Sequence, residues 1–192
     1  MPYKFATDAN APHLGGNIVE GDPCTFSPRT WMYLIDRFGV SSVLDLGSGM
    51  GYCAKYFFER RVAVIAVDGL GANVANAVYP TVQHDLRDGP FLCHVDLVHC
   101  QEVVEHIEDK YLDNLMLSLT CGKIIVISHA MPEQGGYHHV NLQESGYWLA
   151  QFSKYQCEFL QIDTERVREK ANKEGATHLG RSALVFANRS RL

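Results

Sequence analysis

The stretch Val43-Leu44-Asp45-Leu46-Gly47-Ser48-Gly49-Met50-Gly51 decides the fold. It begins as a short, mostly apolar run, Ser42–Leu46, and breaks into glycines separated by single residues. A run without strict alternation suits a strand covered on both faces. Glycine adopts backbone angles that other residues avoid, and it lets a ligand approach the main chain. Tyr52–Arg60 then reads as a helix. In an open α/β sheet, ligands bind beyond the carboxyl ends of the strands, and this loop lies at such an end.

Upstream of the loop, Ser27-Pro28 is a helix start, with proline at the first helical position. Trp31, Leu34, Ile35 and Phe38 follow at helical spacing, and Gly39 ends the helix. Downstream, strands are predicted at Val62–Val67, Thr81–His84, Val95–Cys100 and Lys123–Ser128. Helices are predicted at Leu70–Val78, around Leu112, Leu115, Met116 and Leu119, and over 143–153. Glu158–Ile162 and Ser182–Ala187 read as a closing pair of strands, with 164–174 between them. Such alternation predicts an α/β fold: a mostly parallel seven-stranded sheet with helices on both faces. Residues 1–27, rich in Pro, Gly, Asn and Asp, read as an irregular lead-in, and 28–192 as a single domain.

The composition agrees. The chain has 192 residues, 46% hydrophobic and 20% charged, which suits one globular domain. No apolar run approaches the roughly 20 residues that cross a bilayer. No basic start leads into an apolar stretch, so a cytoplasmic location is expected, without a membrane partner. The six cysteines are scattered with no C-x-x-C pair, which favours small buried hydrophobes over a zinc ribbon or redox motif. A net charge of −5 argues against a protein that grips long nucleic acid.

Two ligands compete for the glycine loop. A dinucleotide loop reads G-x-G-x-x-G/A, and here the sixth position is Tyr52. Asp45, two residues before the first glycine, suits a ligand carrying a sulfonium and an ammonium better than a pyrophosphate. The pattern D-x-G-x-G-x-G resembles motif I of class I S-adenosylmethionine-dependent methyltransferases, a Rossmann-like class. Asp68 ends the next strand, about 20 residues on, where an acid can bind both ribose hydroxyls. His84-Asp85-Leu86 and Cys100-Gln101-Glu102-Val103-Val104-Glu105-His106 resemble the segments after the third and fourth strands of that class. The resemblance implies S-adenosylmethionine as cofactor, with Asp45, Gly47, Gly49, Gly51, Asp68, Asp85 and Gln101 around it.

Glu102, Glu105 and His106 share one face if the segment is helical. The E-x-x-E-H arrangement resembles the divalent-metal ligands of small-RNA 2′-O-methyltransferases and of ubiquinone-pathway O-methyltransferases. In the RNA group a further histidine follows the fifth strand. Here Gly135-Gly136-Tyr137-His138-His139-Val140-Asn141 offers one, so Glu102, Glu105, His106 and His139 are candidate ligands for a divalent metal such as Mn²⁺ or Mg²⁺. The lead-in glycines, the G-G-x-H-H-V-N loop and Tyr147-Trp148 also resemble small methyltransferases of phages and large DNA viruses, and domains of glycan-building proteins.

The expected reaction is O-methylation of a sugar or other small hydroxyl acceptor, with a metal as an optional aid and His139, His138 or His106 taking the proton. An N/D-P-P-Y-type motif after the fourth strand, common in amino-base methylation, is absent. RNA 2′-O-methylation and a non-catalytic cofactor-binding module stand as alternatives. The sequence leaves the acceptor and the oligomeric state open.

Overall fold

Strand β3 (Ser42–Leu46), which leads into the glycine loop, lies at the centre of the sheet, in a computed structural model that describes residues 3–192. On one side it pairs in parallel with β4 (Ala63–Asp68), and β4 with β5 (Thr81–Gln83). On the other side it pairs in parallel with β6 (Val95–Gln101), and β6 with β7 (Gly122–Ser128). Beyond β7 the direction reverses. β9 (Leu184–Asn188) runs antiparallel to β7, and β8 (Cys157–Phe159) closes the edge antiparallel to β9. The spatial order is β5-β4-β3-β6-β7-β9-β8. The order switches direction between β3 and β6, and such a switch point opens a crevice at the strand carboxyl ends.

Both faces are covered, which explains the apolar strands. Val43, Leu97, Ile124 and Val126 pack with α1 (Pro28–Phe38), α2 (Tyr52–Glu59), α6 (Gln161–Glu174) and α7 (Thr177–Ser182), through Trp31, Leu34, Phe57, Val167 and Leu179. The alternate residues Leu44, Val98, Ile125 and Ile127 pack with α4 (Leu112–Leu119) and α5 (Ser145–Lys154), through Leu115, Met116, Trp148 and Phe152. A short helix α3 (Gly71–Asn76) joins β4 to β5. No described helix is long and apolar enough to cross a membrane.

Three local expectations differ from the structure. Gln161 and Ile162, expected in the strand Glu158–Ile162, instead begin helix α6, and the strand is correspondingly short, Cys157–Phe159. Helix α7 went unpredicted, because six residues with a glycine inside carry too little periodicity. The lead-in is ordered in part: β1 (Phe5–Thr7) pairs antiparallel with β2 (Gly15–Ile18), and a 3₁₀ turn spans Pro23–Thr25. A segment this glycine-rich shows no alternation, since its order comes from what it lies against.

Candidate active site

The glycine loop turns because three of its residues take positive φ: Gly47 (+76°), Gly49 (+55°) and Gly51 (+78°). Gly47 has a second constraint, for a Cβ there would lie 2.2 Å from Val103 Cγ2. Gly47→Ala is therefore expected to cost about 1–3 kcal/mol of stability and to displace the loop. Thermal unfolding checks this, and Val103→Ala in the same chain should recover part of the loss.

Acids converge on this loop. Asp68 Oδ2 accepts from the Gly49 amide at 2.8 Å, and Oδ1 from the Leu70 amide at 2.9 Å and Asn73 Nδ2 at 3.1 Å. Burial raises its pKa, against the lowering effect of these donors. Asp85 accepts from the Arg87 amide at 2.8 Å and from His13 Nε2 at 2.7 Å. Gln101 ends β6 with its Nε2 buried and unpartnered. One cavity of about 1280 Å³ reaches from Asp85 and Asp68 past the glycines and Gln101 to Glu102, His106 and His139.

Asp45 is less free. Its carboxylate accepts from Ser48 Oγ at 2.8 Å and from His99 Nδ1 at 2.9 Å. On its far side, His99 Nε2 accepts from Trp31 Nε1 at 3.3 Å. Cys53 Sγ lies 3.4 Å from His99 Nδ1, and the Asp, Cys and His together resemble a metal cluster. Both imidazole nitrogens are already engaged, however, and a cation on either would break one of these bonds. The group is a buried relay that holds Asp45 in place. Sequence reading passed over His99, although a histidine within the apolar run Leu97-Val98-His99-Cys100 was the available signal.

The segment after β6 is not the expected helix. Glu102 takes a left-handed φ of +53°, and only Val104–His106 form a 3₁₀ turn. The helical face shared by Glu102, Glu105 and His106 therefore does not exist. Glu102 turns away and accepts from Ser128 Oγ at 2.8 Å and from His178 Nδ1 at 3.0 Å. Burial raises its pKa, but the bond and charge of His178 outweigh that and lower it.

Glu105, His106 and His139 do meet, with one ligand atom from each lying within 4.8 Å of the others. Glu105 is 0% exposed, and neither carboxylate oxygen has a side-chain partner, with only the backbone amides of Glu105 and Ala130 nearby to favour its charge. Burial, then the charge of Glu102, pushes its pKa well up. Burial and the neighbouring imidazoles of His139 and His138 push His106 down to about 4, so it is neutral at pH 7 with a lone pair to offer. The His106 and His139 rings meet edge to face at 4.9 Å. His139 donates Nδ1–H to the Gln134 carbonyl at 3.2 Å, which leaves Nε2 as its acceptor atom. Its ring lies so close over residue 136 that a Cβ there would be 2.1 Å away, which explains Gly136. The amides of Val140 and Asn141 both donate to the Glu105 carbonyl at 3.0 Å, tying the histidine loop to the acid's own backbone. Tyr137 and His139 line the cavity with Gly49, but His138 and Asn141 do not. His138 sits instead among His13, Arg87 and Glu108.

His178, on the unforeseen helix α7, lies between Asp22 Oδ2 at 3.2 Å and Glu102 Oε2 at 3.0 Å. Burial disfavours its charge, but the two carboxylates prevail and raise its pKa from 6.5 to about 10. A raised folded-state pKa stabilises fully below the unfolded value and ceases to do so as pH climbs through the folded one. His178→Ala is thus expected to lower the unfolding temperature most near pH 6, with the deficit shrinking towards pH 10. An equal deficit at both pH values would contradict the ion-pair role.

Compared with known proteins, residues 44–127 match the family described as a methyltransferase domain. Among curated proteins, no sequence matches. Solved structures of similar fold include a SAM-dependent methyltransferase from Archaeoglobus fulgidus, at 19% identity and TM-score 0.54, covering 88% of this chain and 96% of that one. The plantazolicin methyltransferase BpumL, in complex with a substrate analogue and SAH, gives 15% identity and TM-score 0.57, covering 84% and 83%. The [4+2]-cyclase SpnF gives 12% and 0.57, covering 84% and 80%. Likenesses at such identities establish the fold, and SpnF illustrates that one fold serves more than one reaction. The fold is the Rossmann-like one seen in class I methyltransferases, and the methyltransferase-domain match covers 84 of the 192 residues.

Proposed function

We propose that this chain methylates an oxygen of a hydroxyl acceptor, a sugar or another small hydroxyl compound, with a divalent cation held by Glu105, His106 and His139. One observation carries the cation: a fully buried carboxylate without a side-chain partner, beside two imidazoles. A buried charge costs several kcal/mol unless it is paired. Two nitrogens and a carboxylate form a mixed set that suits Mn²⁺, Fe²⁺, Co²⁺ or Zn²⁺, and Mg²⁺ less well. His139 donates its other nitrogen to a backbone carbonyl, as metal-ligating histidines do. Glu102 is left out of the set, being committed to Ser128 and His178.

The methyl donor fits the other end of the cavity. Asp68 and Asp85 face its ribose and adenine. The glycines permit close approach, and Gln101 brings an unpartnered amide. S-adenosylmethionine supplies an activated methyl group for in-line displacement: a carbon–oxygen bond forms as the carbon–sulfur bond breaks, and the acceptor proton leaves. A bound cation supplies Lewis acidity, lowering the acceptor's pKa. The chain's own residues do the rest. Glu105, His106 and His139 fix where the hydroxyl is held, and alignment of that kind supplies much of the acceleration. Without a cation, His139 Nε2 is the group best placed to take the proton, and His106 the next. His138, outside the cavity, is a weaker candidate than either. Residues 28–192 serve as the catalytic unit, with 3–27 of the lead-in as its cover.

The test is methyl incorporation from labelled S-adenosylmethionine into glycans, nucleosides, phenols and short RNAs, with Mn²⁺ or with chelator. Labelling of a small hydroxyl compound supports the reading, and labelling of RNA alone replaces it with 2′-O-methylation. Donor binding with no turnover on any acceptor points to a non-catalytic module.

A further inference from the structure

We propose that His13 and Asn17 are positioning residues for the methyl donor, carried on a strap, residues 13–17, that closes over the donor and governs its release. The proposal rests on the cofactor reading above. His13 Nε2–H donates to Asp85 Oδ2 at 2.7 Å, and its side chain is only 12% exposed. Asn17 and Asn73 exchange two hydrogen bonds, at 3.2 and 2.9 Å, and Asn73 Nδ2 also donates to Asp68 Oδ1 at 3.1 Å. One strap thus grips the adenine-side acid directly and the ribose-side acid through a single residue. Between these grips, Leu14 fills the space above Gly69, where a Cβ would lie 2.5 Å from Leu14 Cδ2. A Cβ on Gly16 would stand 3.3 Å from Tyr137 and 3.4 Å from His106 Cε1. The strap therefore reaches from the donor end of the cavity to the proposed cation ligands, and all of residues 13–17 line the cavity.

Little else holds the strap. It lies at the β1–β2 pair, strands of three and four residues, and a two-stranded pair is marginal in water on its own. Gly15 and Gly16 take φ of +91° and +98°, so the bend suits few other residues. Since strap residues roof the cavity, the donor enters when they lift and is enclosed when they return. The grips survive its arrival, because a carboxylate has about four lone-pair sites, of which Asp68 keeps one and Asp85 two free for the donor. Closure also sets Gly16 against Tyr137 and His106, so the acceptor's half of the cavity is completed after the donor is in place.

The test uses the whole chain and S-adenosylhomocysteine, the demethylated donor. Calorimetry gives its affinity, stopped-flow its dissociation rate, and hydrogen exchange the protection of residues 13–17. In the wild type, ligand is expected to slow exchange across the strap. His13→Ala and Asn17→Ala are each expected to weaken binding about tenfold, mainly through faster release, at an unfolding temperature close to wild type. His13→Gln, which keeps a donor towards Asp85, should restore most of the loss, an outcome that a merely structural role would not produce. If the wild type binds, and both variants bind as tightly with the strap equally protected, the strap proposal is overturned while the cofactor reading stands. If the wild type fails to bind, both are overturned.

Discussion

Glu105→Met is expected to abolish cation-dependent methyl transfer while leaving donor affinity within about twofold, because the carboxylate lies behind His106 and His139 at the far end of the cavity from Asp68. The same substitution has a second, less usual consequence. In the presence of chelator, the variant should unfold at the same temperature as wild type or higher. A buried carboxylate with no side-chain partner is a burden on the cation-free fold, and an apolar side chain of similar volume removes it. Adding Mn²⁺ at a hundredfold excess over its dissociation constant should stabilise wild type by about 2.7 kcal/mol and the variant hardly at all. Scanning calorimetry with and without Mn²⁺ reads both effects. Full turnover by wild type in excess chelator would sink the cation and leave His139 or His106 as a simple base.

Asp68→Ala is expected to produce the largest loss of donor affinity, well beyond tenfold. Three of its roughly four lone-pair sites are already taken, so one ribose hydroxyl would lose a charge-assisted acceptor, at about 1.5–3 kcal/mol. The structure adds a reason. The same carboxylate accepts from the amides of Gly49 and Leu70, so its removal also loosens the glycine loop against the end of β4. Asp68→Asn separates the two causes, since the amide retains one acceptor oxygen for the loop but carries no charge. Its affinity should fall between wild type and Asp68→Ala by calorimetry. Unchanged affinity in a folded Asp68→Ala variant would refute the assignment.

Much of the fold was legible because local pattern and global architecture agree. The apolar runs at 42–46, 95–100 and 123–128 have no polar face, which only a sheet covered on both sides tolerates. Glycines at 47, 49 and 51 mark a turn through positive φ, the conformation that those three residues adopt. That Asp68, Asp85 and Gln101 gather along one cavity with the glycine loop was legible for the same reason: they follow strand ends, and strand ends follow from hydrophobic pattern.

The acceptor side was legible only in part. Spacing of three and four residues suggested one helical face for Glu102, Glu105 and His106, but spacing carries that meaning only where the backbone is helical. Here it passes through a left-handed residue and a 3₁₀ turn. Glu102 consequently leaves for His178, on a helix too short to announce itself, while His139 arrives from a loop that hydrogen-bonds to the Glu105 carbonyl.

By itself, then, the sequence determined what depends on neighbours along the chain: the strands, their central glycine turn, the helices that cover both faces, and the acids at strand ends. The tertiary structure alone decided which distant side chains share a point in space. It paired His13 with Asp85, set Trp31 and His99 behind Asp45, and kept His106 and His139 but not Glu102 beside Glu105. The reason is physical. Periodicity records which face a residue presents to its own element, whereas a buried polar group takes its partner from whichever element the packing of the sheet brings within hydrogen-bond reach.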